Sequence, residues 1–76
     1  MTYDRERAGD LVLALMHLSL HDGARAWKSY DWDVLNFLHE RGFISNPISK
    51  AKSVVLTEEG EARSRAMFAK YLAVAV

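Results

Sequence analysis

The sequence contains no cysteine, which excludes disulfides, cysteine-ligated zinc and thiol catalysis. It also has no net charge, because ten basic side chains meet ten acidic ones; an evenly basic nucleic-acid binder is thereby excluded. Repeats, low-complexity tracts and linkers are missing. The most apolar stretch, residues 11–20, is interrupted by His17 and falls far short of the roughly 20 residues that cross a bilayer. A secretory leader is also a poor reading of the N-terminus. Asp4, Glu6 and Asp10 offset Arg5 and Arg7 ahead of the apolar run, where a leader is positively charged. The expected location is the cytoplasm, with no membrane contact.

What is present is ordinary globular composition: 76 residues, half hydrophobic and about a quarter charged. This is room for one small domain, residues 1–76. A chain of this size buries only about 60–65% of its unfolded surface. Small domains compensate with disulfides, metals or self-association. With the first excluded and no evident ligand set for the second, a homodimer becomes an expectation.

Hydrophobic spacing predicts a helix over residues 4–21. Ala8, Leu11, Val12, Leu15 and Leu18 share one broad face that reads as the inward one, while Leu13 and Leu20 fall at its margins, half exposed in a monomer. Gly23 stops this helix. Residues 23–30, GARAWKSY, form a connector without a strong period. Asp31 is a good cap for a second helix over 31–41, with Asp33 complementing the dipole, Tyr30 and Leu35 at the staple positions, and Gly42 just past the end. Residues 43–45 and 53–56 read as two strands around the turn residues 46–50, Asn-Pro-Ile-Ser-Lys. Thr57 caps a third helix from 58 to 73. That helix carries two stripes, Ala62, Ala66, Ala69 and Ala73 on one side and Met67, Phe68 and Tyr71 on the other. Two stripes suggest a helix held between its own core and a neighbour.

Two resemblances follow from these residues. Leu38-His39-Glu40-Arg41-Gly42-Phe43-Ile44, the polar turn, and Ser53-Val54-Val55-Leu56-Thr57-Glu58-Glu59-Gly60-Glu61-Ala62 resemble the wing region of winged-helix proteins, including MarR-like repressors. There a recognition helix enters a two-stranded wing that ends in a Leu-Thr-x-x-Gly element. The eight residues GARAWKSY replace the helix that normally precedes the recognition helix, leaving space for a single turn or a short extended piece. More of the chain is similar to a family of small bacterial proteins of unknown function: His21-Asp22-Gly23, Arg25-Ala26-Trp27-Lys28, Asp31-Trp32-Asp33, Leu38-His39-Glu40 and Lys50-Ala51-Lys52-Ser53-Val54. That resemblance implies a bacterial source and a shared compact fold, and it brings no activity or catalytic residues.

Candidate surfaces divide by chemistry. Zero net charge is a sum of −3 over residues 1–40 and +3 over 41–76, and residues 41–57 hold no acid. Asn36 on the second helix with Arg41, Lys50 and Lys52 around the wing could contact DNA; alternatively, the lysines mark a solvated hairpin tip. Opposite charges on the two halves could also orient a protein partner. Leu13, Leu20, Phe68 and Tyr71 are candidates for self-association. Trp27, Tyr30 and Trp32 read first as packing that pins the connector, with base stacking as the alternative. His17 and His21, spaced i and i+4, have the form of a metal pair but lack further ligands, so neither metal nor cofactor is expected. No nucleophile elbow, glycine-rich phosphate loop or triad spacing occurs.

The sequence thus predicts an α+β fold, a small winged-helix-like domain in the order helix, loop, helix, β-hairpin, helix. It further predicts a noncatalytic interaction module that self-associates, with a DNA-binding regulator as the second reading.

Overall fold

The structure, a computed structural model, describes residues 2–74. Five elements follow in order: α1 (Arg5–Leu18), β1 (Arg25–Trp27), α2 (Trp32–Glu40), β2 (Ser53–Val55) and α3 (Glu58–Tyr71). The fold is α+β, with three helices and a two-stranded antiparallel sheet, and the arrangement is consistent with a winged helix.

Local chemistry sets most boundaries. The Asp4 carboxylate accepts from the Arg7 N–H at 3.0 Å and starts α1. This helix ends at Leu18, three residues short of the expected last helical residue, 21. His21 and Arg25 then exchange backbone hydrogen bonds of 2.9 and 3.1 Å. The tight turn between them places Asp22 and Gly23 at φ 44° and 87°, the left-handed region that Asp and Gly tolerate. Asp31 starts α2 by accepting from the N–H groups of Asp33 and Val34. Gly42 follows its last turn at φ 78°. Its N–H donates to His39 O and that of Phe43 to Leu38 O, the paired bonds of a Schellman stop.

The partner of β2 differs from the expected one. Ser53–Val55 pairs with the connector strand, in the register Arg25↔Val55, Ala26↔Val54 and Trp27↔Ser53. Ala26 and Val54 are the buried pair of this ladder. Residues 43–45 reach the other side of the same segment through an Ile44↔Leu56 bridge and a 2.8 Å bond from Ser45 N–H to Val55 O. The connector hid a strand because three residues with one inward side chain, Ala26, show no readable alternation.

The core gathers Leu13 and Met16 of α1, Val34, Leu35 and Leu38 of α2, and Ala26, Ile44, Val54 and Leu56 of the sheet region. This corrects the predicted inward face of α1. Gly9, Leu13, Ala14 and Met16 are the buried positions, while Leu11, Leu15 and Leu18 are 41, 43 and 64% exposed. The cause is close approach. A β-carbon on Gly9 would stand 3.0 Å from Leu38 and 3.4 Å from Phe37. On another side of α1, the Ser64 hydroxyl of α3 donates to Leu13 O at 2.8 Å. The absent side chain of Gly9 lets α2 come in, the small Ser64 lets α3 reach the Leu13 carbonyl, and the leucine-rich side is left outside.

In α3 the buried residues are Gly60 and Ser64, with Met67 and Phe68 partly covered. Ala62, Ala66, Ala69 and Ala73 are exposed. Thr57 caps this helix by accepting from Gly60 N–H while donating its hydroxyl proton to Gly42 O at 2.6 Å. The Leu-Thr-x-x-Gly element thus ties the end of α2 to the start of α3.

Candidate interaction surfaces

A groove runs between the end of β1, the start of α2 and the 49–52 segment. Trp27, Lys28, Trp32, Ser49, Lys50 and Lys52 line this open groove of about 410 Å³. Trp27 takes the outward position beside buried Ala26, and its ring stacks on His21 with centroids 4.4 Å apart. Trp32 opens α2, off the face formed by Val34, Leu35, Phe37 and Leu38. The two tryptophan residues are 51 and 54% exposed. Only Tyr30 of the aromatic trio packs against the core, so the expected packing role fails for both tryptophans. A side chain at the outward position of a strand or the first position of a helix has no core to reach.

Lys28 holds the groove together. Its ammonium donates to Pro47 O at 2.7 Å, Ser49 O at 2.9 Å and Ser49 Oγ at 3.2 Å, which accounts for all three protons. The same ammonium stands 6.0 Å from the Trp32 ring centroid, at the limit of a cation–π contact. Lys28 N–H also donates to Lys52 O at 3.1 Å, continuing the β1–β2 ladder. Asn46 Oδ1 accepts from Ile48 N–H and shapes the turn around buried Pro47.

The second surface is the outer side of α1. Leu11, Leu15 and Leu18, spaced i, i+4 and i+7, lie on one helical face. Ala8 and Val12, both partly buried, border it.

The sequence-predicted residues separate onto different places. Lys50 and Lys52 share the tryptophan groove and make no ion pair among the described residues. Asn36 is exposed on α2 outside that lining. Arg41 lies elsewhere: its guanidinium bonds Glu6 at 2.8 Å and sits 4.7 Å from the Phe37 ring centroid. Leu13 is fully buried in the core, which corrects its reading as a surface residue; α2 and α3 cover the side of α1 that bears it. Leu20 packs partly against the core, Phe68 meets the His17 ring at 4.8 Å, and Tyr71 is 37% exposed. Leu11, Leu15 and Leu18 were missed as surface residues because a helical wheel places the most apolar side inward.

The two histidines of the i, i+4 pair turn to different neighbours. The imidazole of His17 faces Phe68, while His21 stacks on Trp27 and its Nδ1 is 2.8 Å from Ser19 O. Among the described residues no three His, Asp or Glu side chains cluster as metal ligands. The two acids at the start of α2 are engaged within the chain: Asp31 caps the helix, and Asp33 accepts from Tyr3 and Arg5. The Asp33 carboxylate holds the Tyr3 phenol proton and pushes its pKa up to about 12. Burial raises that of Tyr30. The bidentate bond to Asp10 raises that of Arg63.

These surfaces offer stacking, ionic attraction and apolar contact. No described helix is long and apolar enough to cross a membrane.

Comparison with known proteins agrees with the resemblance to a small family of unknown function. The chain is 48% identical over 68 residues to "Uncharacterized protein y4hR" of Sinorhizobium fredii (strain NBRC 101917 / NGR234), an alignment covering 90% of this chain and 92% of that protein. No solved structure matches it. Residues 4–74 match the family described as "Domain of unknown function (DUF6429)", and the chain belongs to that family.

Proposed function

We propose that this protein is a noncatalytic interaction module that pairs with a second copy of itself through the outer side of α1. On this reading residues 1–76 act as one winged-helix-like domain in the bacterial cytoplasm. Three leucines carry the proposal: Leu11, Leu15 and Leu18 are 41, 43 and 64% exposed on one helical face. Burying a leucine completely contributes about 1.5–3 kcal/mol, and a two-fold contact covers the same face on both copies. A dimer burying about 800 Å² per partner would cover about 15% of the 5162 Å² surface. Self-association also supplies what so small a core lacks. Tyr71, partly exposed near the end of α3, remains a candidate at the edge of the contact.

Light scattering across a concentration series tests this reading. A dimer mass is expected at high concentration, and L15E should return the monomer mass without changing the circular dichroism spectrum. A monomer at every concentration would overturn it.

Lys50 and Lys52 favour a second reading, a DNA-binding regulator, since their side of the wing carries no acid. Asn36 would then read a base edge from α2 and the lysines would meet phosphates. Arg41 would first have to leave Glu6. Titration with mixed-sequence duplex at low salt, where phosphate attraction is strongest, decides this reading; no binding there would exclude it.

A further inference from the structure

We infer that the groove between Trp27, Trp32 and the 49–52 segment binds single-stranded nucleic acid, with bases stacking on the indoles and phosphates meeting Lys50 and Lys52. The observations are independent of self-association, since Leu11, Leu15 and Leu18 lie outside this lining.

The first is the aromatic content. Two tryptophans leave about half their surface in water, 51 and 54%, within one groove. Base stacking on such rings tolerates any sequence because every base has a π-face. His21 covers part of Trp27 by stacking and props that indole in place.

The second is charge. Three lysines and no carboxylate line the groove. The acids flanking Trp32 are already engaged: Asp31 with the helix N–H groups, Asp33 with Arg5 and Tyr3. A polyanion is therefore the complementary ligand.

The third is preorganisation. Lys28 fixes the loop by three oxygen contacts and by its backbone bond to Lys52. Its own protons are fully used, which leaves Lys50 and Lys52 as the exposed cations for phosphate. A loop held in this way loses little freedom when a ligand arrives.

Unpaired strands are favoured over duplex because a duplex hides its base faces in its own stack, and indoles need them free. Two phosphate contacts give a shallow salt dependence, with a logarithmic slope of about −1.4 for single strands.

The test is intrinsic tryptophan fluorescence of the full chain titrated with a 12-nucleotide oligothymidine, beside a duplex of equal length and phosphatidylserine vesicles. The single strand should quench the emission. W32A and K50E/K52E should each weaken binding about tenfold, in line with one stacked base or two lost phosphate contacts. These positions are exposed, so unchanged circular dichroism should accompany the loss. Only K50E/K52E should flatten the salt slope. Four results would each overturn the proposal: no quenching at low salt, duplex binding as tight as single strand, equal binding to the vesicles, or variants that bind like the parent. A monomeric chain that still quenches would separate this inference from the self-association reading.

Discussion

Gly60 lies against the Phe43 carbonyl so closely that a β-carbon at position 60 would stand 1.9 Å from that oxygen and 2.7 Å from its carbon. The same oxygen accepts from Thr57 N–H at 3.0 Å. Backbone meets backbone here, so a flexible side chain cannot move aside. G60A must therefore displace the start of α3 from the segment after α2 and disturb the Thr57 cap. Overpacking of this kind costs about 1–3 kcal/mol. In a domain of this size each 1 kcal/mol lowers Tm by about 4–8 °C. Urea and thermal unfolding should both show the loss; an unchanged midpoint would mean that the helix start can slide freely.

The rotated face of α1 predicts a contrast between two leucines two residues apart. Leu13 is fully buried and Leu15 is 43% exposed. L13A should cost about 2–5 kcal/mol, the range for opening a cavity in a packed core. L15A should stay within about 0.5 kcal/mol, as surface substitutions do. Both belong in denaturant unfolding at low protein concentration, where any dimer is dissociated. Equal losses would place the core on the leucine-rich side after all.

These contrasts separate what the sequence reveals from what it conceals. Asp31, Gly42 and Thr57 were readable as caps because each satisfies backbone groups within a few residues of itself. The three helices were readable for the same reason, and with a β-branched strand they gave the α+β class. The orientation of α1 was not, since it depends on Gly9 meeting Leu38 and on Ser64 reaching Leu13 O. Those contacts join residues 29 and 51 positions apart, and a wheel weighs only the helix it draws. Strand β1 was equally hidden, because Ala26 shows an inward role only beside Val54. The candidate groove was half legible. The sequence alone marks Lys50 and Lys52 for phosphate, and the tryptophans for stacking or packing. Their meeting in one groove required the β1–β2 register and the Lys28 tether.

Tyr3 and Asp33 predict an alkaline signature. The Asp33 carboxylate accepts the phenol hydrogen bond and pushes the Tyr3 pKa up to about 12, against about 10 in an unfolded chain. The folded state holds this proton more tightly, so the contact stabilises below pH 10. That contribution is lost as pH rises from about 10 to about 12. Absorbance titration at 295 nm should show one tyrosine ionising about two pH units late. D33N should bring that tyrosine back toward pH 10. Identical titration curves would show that the bond does not persist in solution.

His17 offers a way to stabilise the domain. Its Nδ1 is buried and has no hydrogen-bond partner among the described residues, while its ring lies 4.8 Å from Phe68. A buried polar atom without a partner costs about 1–3 kcal/mol. Phenylalanine keeps an aromatic ring at this position and removes both ring nitrogens, the buried Nδ1 among them. H17F should thus raise stability by about 1 kcal/mol, seen as a higher urea midpoint with an unchanged slope. The slope matters, because a change in it would report an altered unfolded state rather than relief of the buried nitrogen. H17A is the necessary comparison: it also removes the nitrogen but withdraws the ring from Phe68, and it should lower the midpoint. If H17F fell with H17A, the imidazole nitrogen would be bonded in solution, most directly to water, and its burial would carry no penalty.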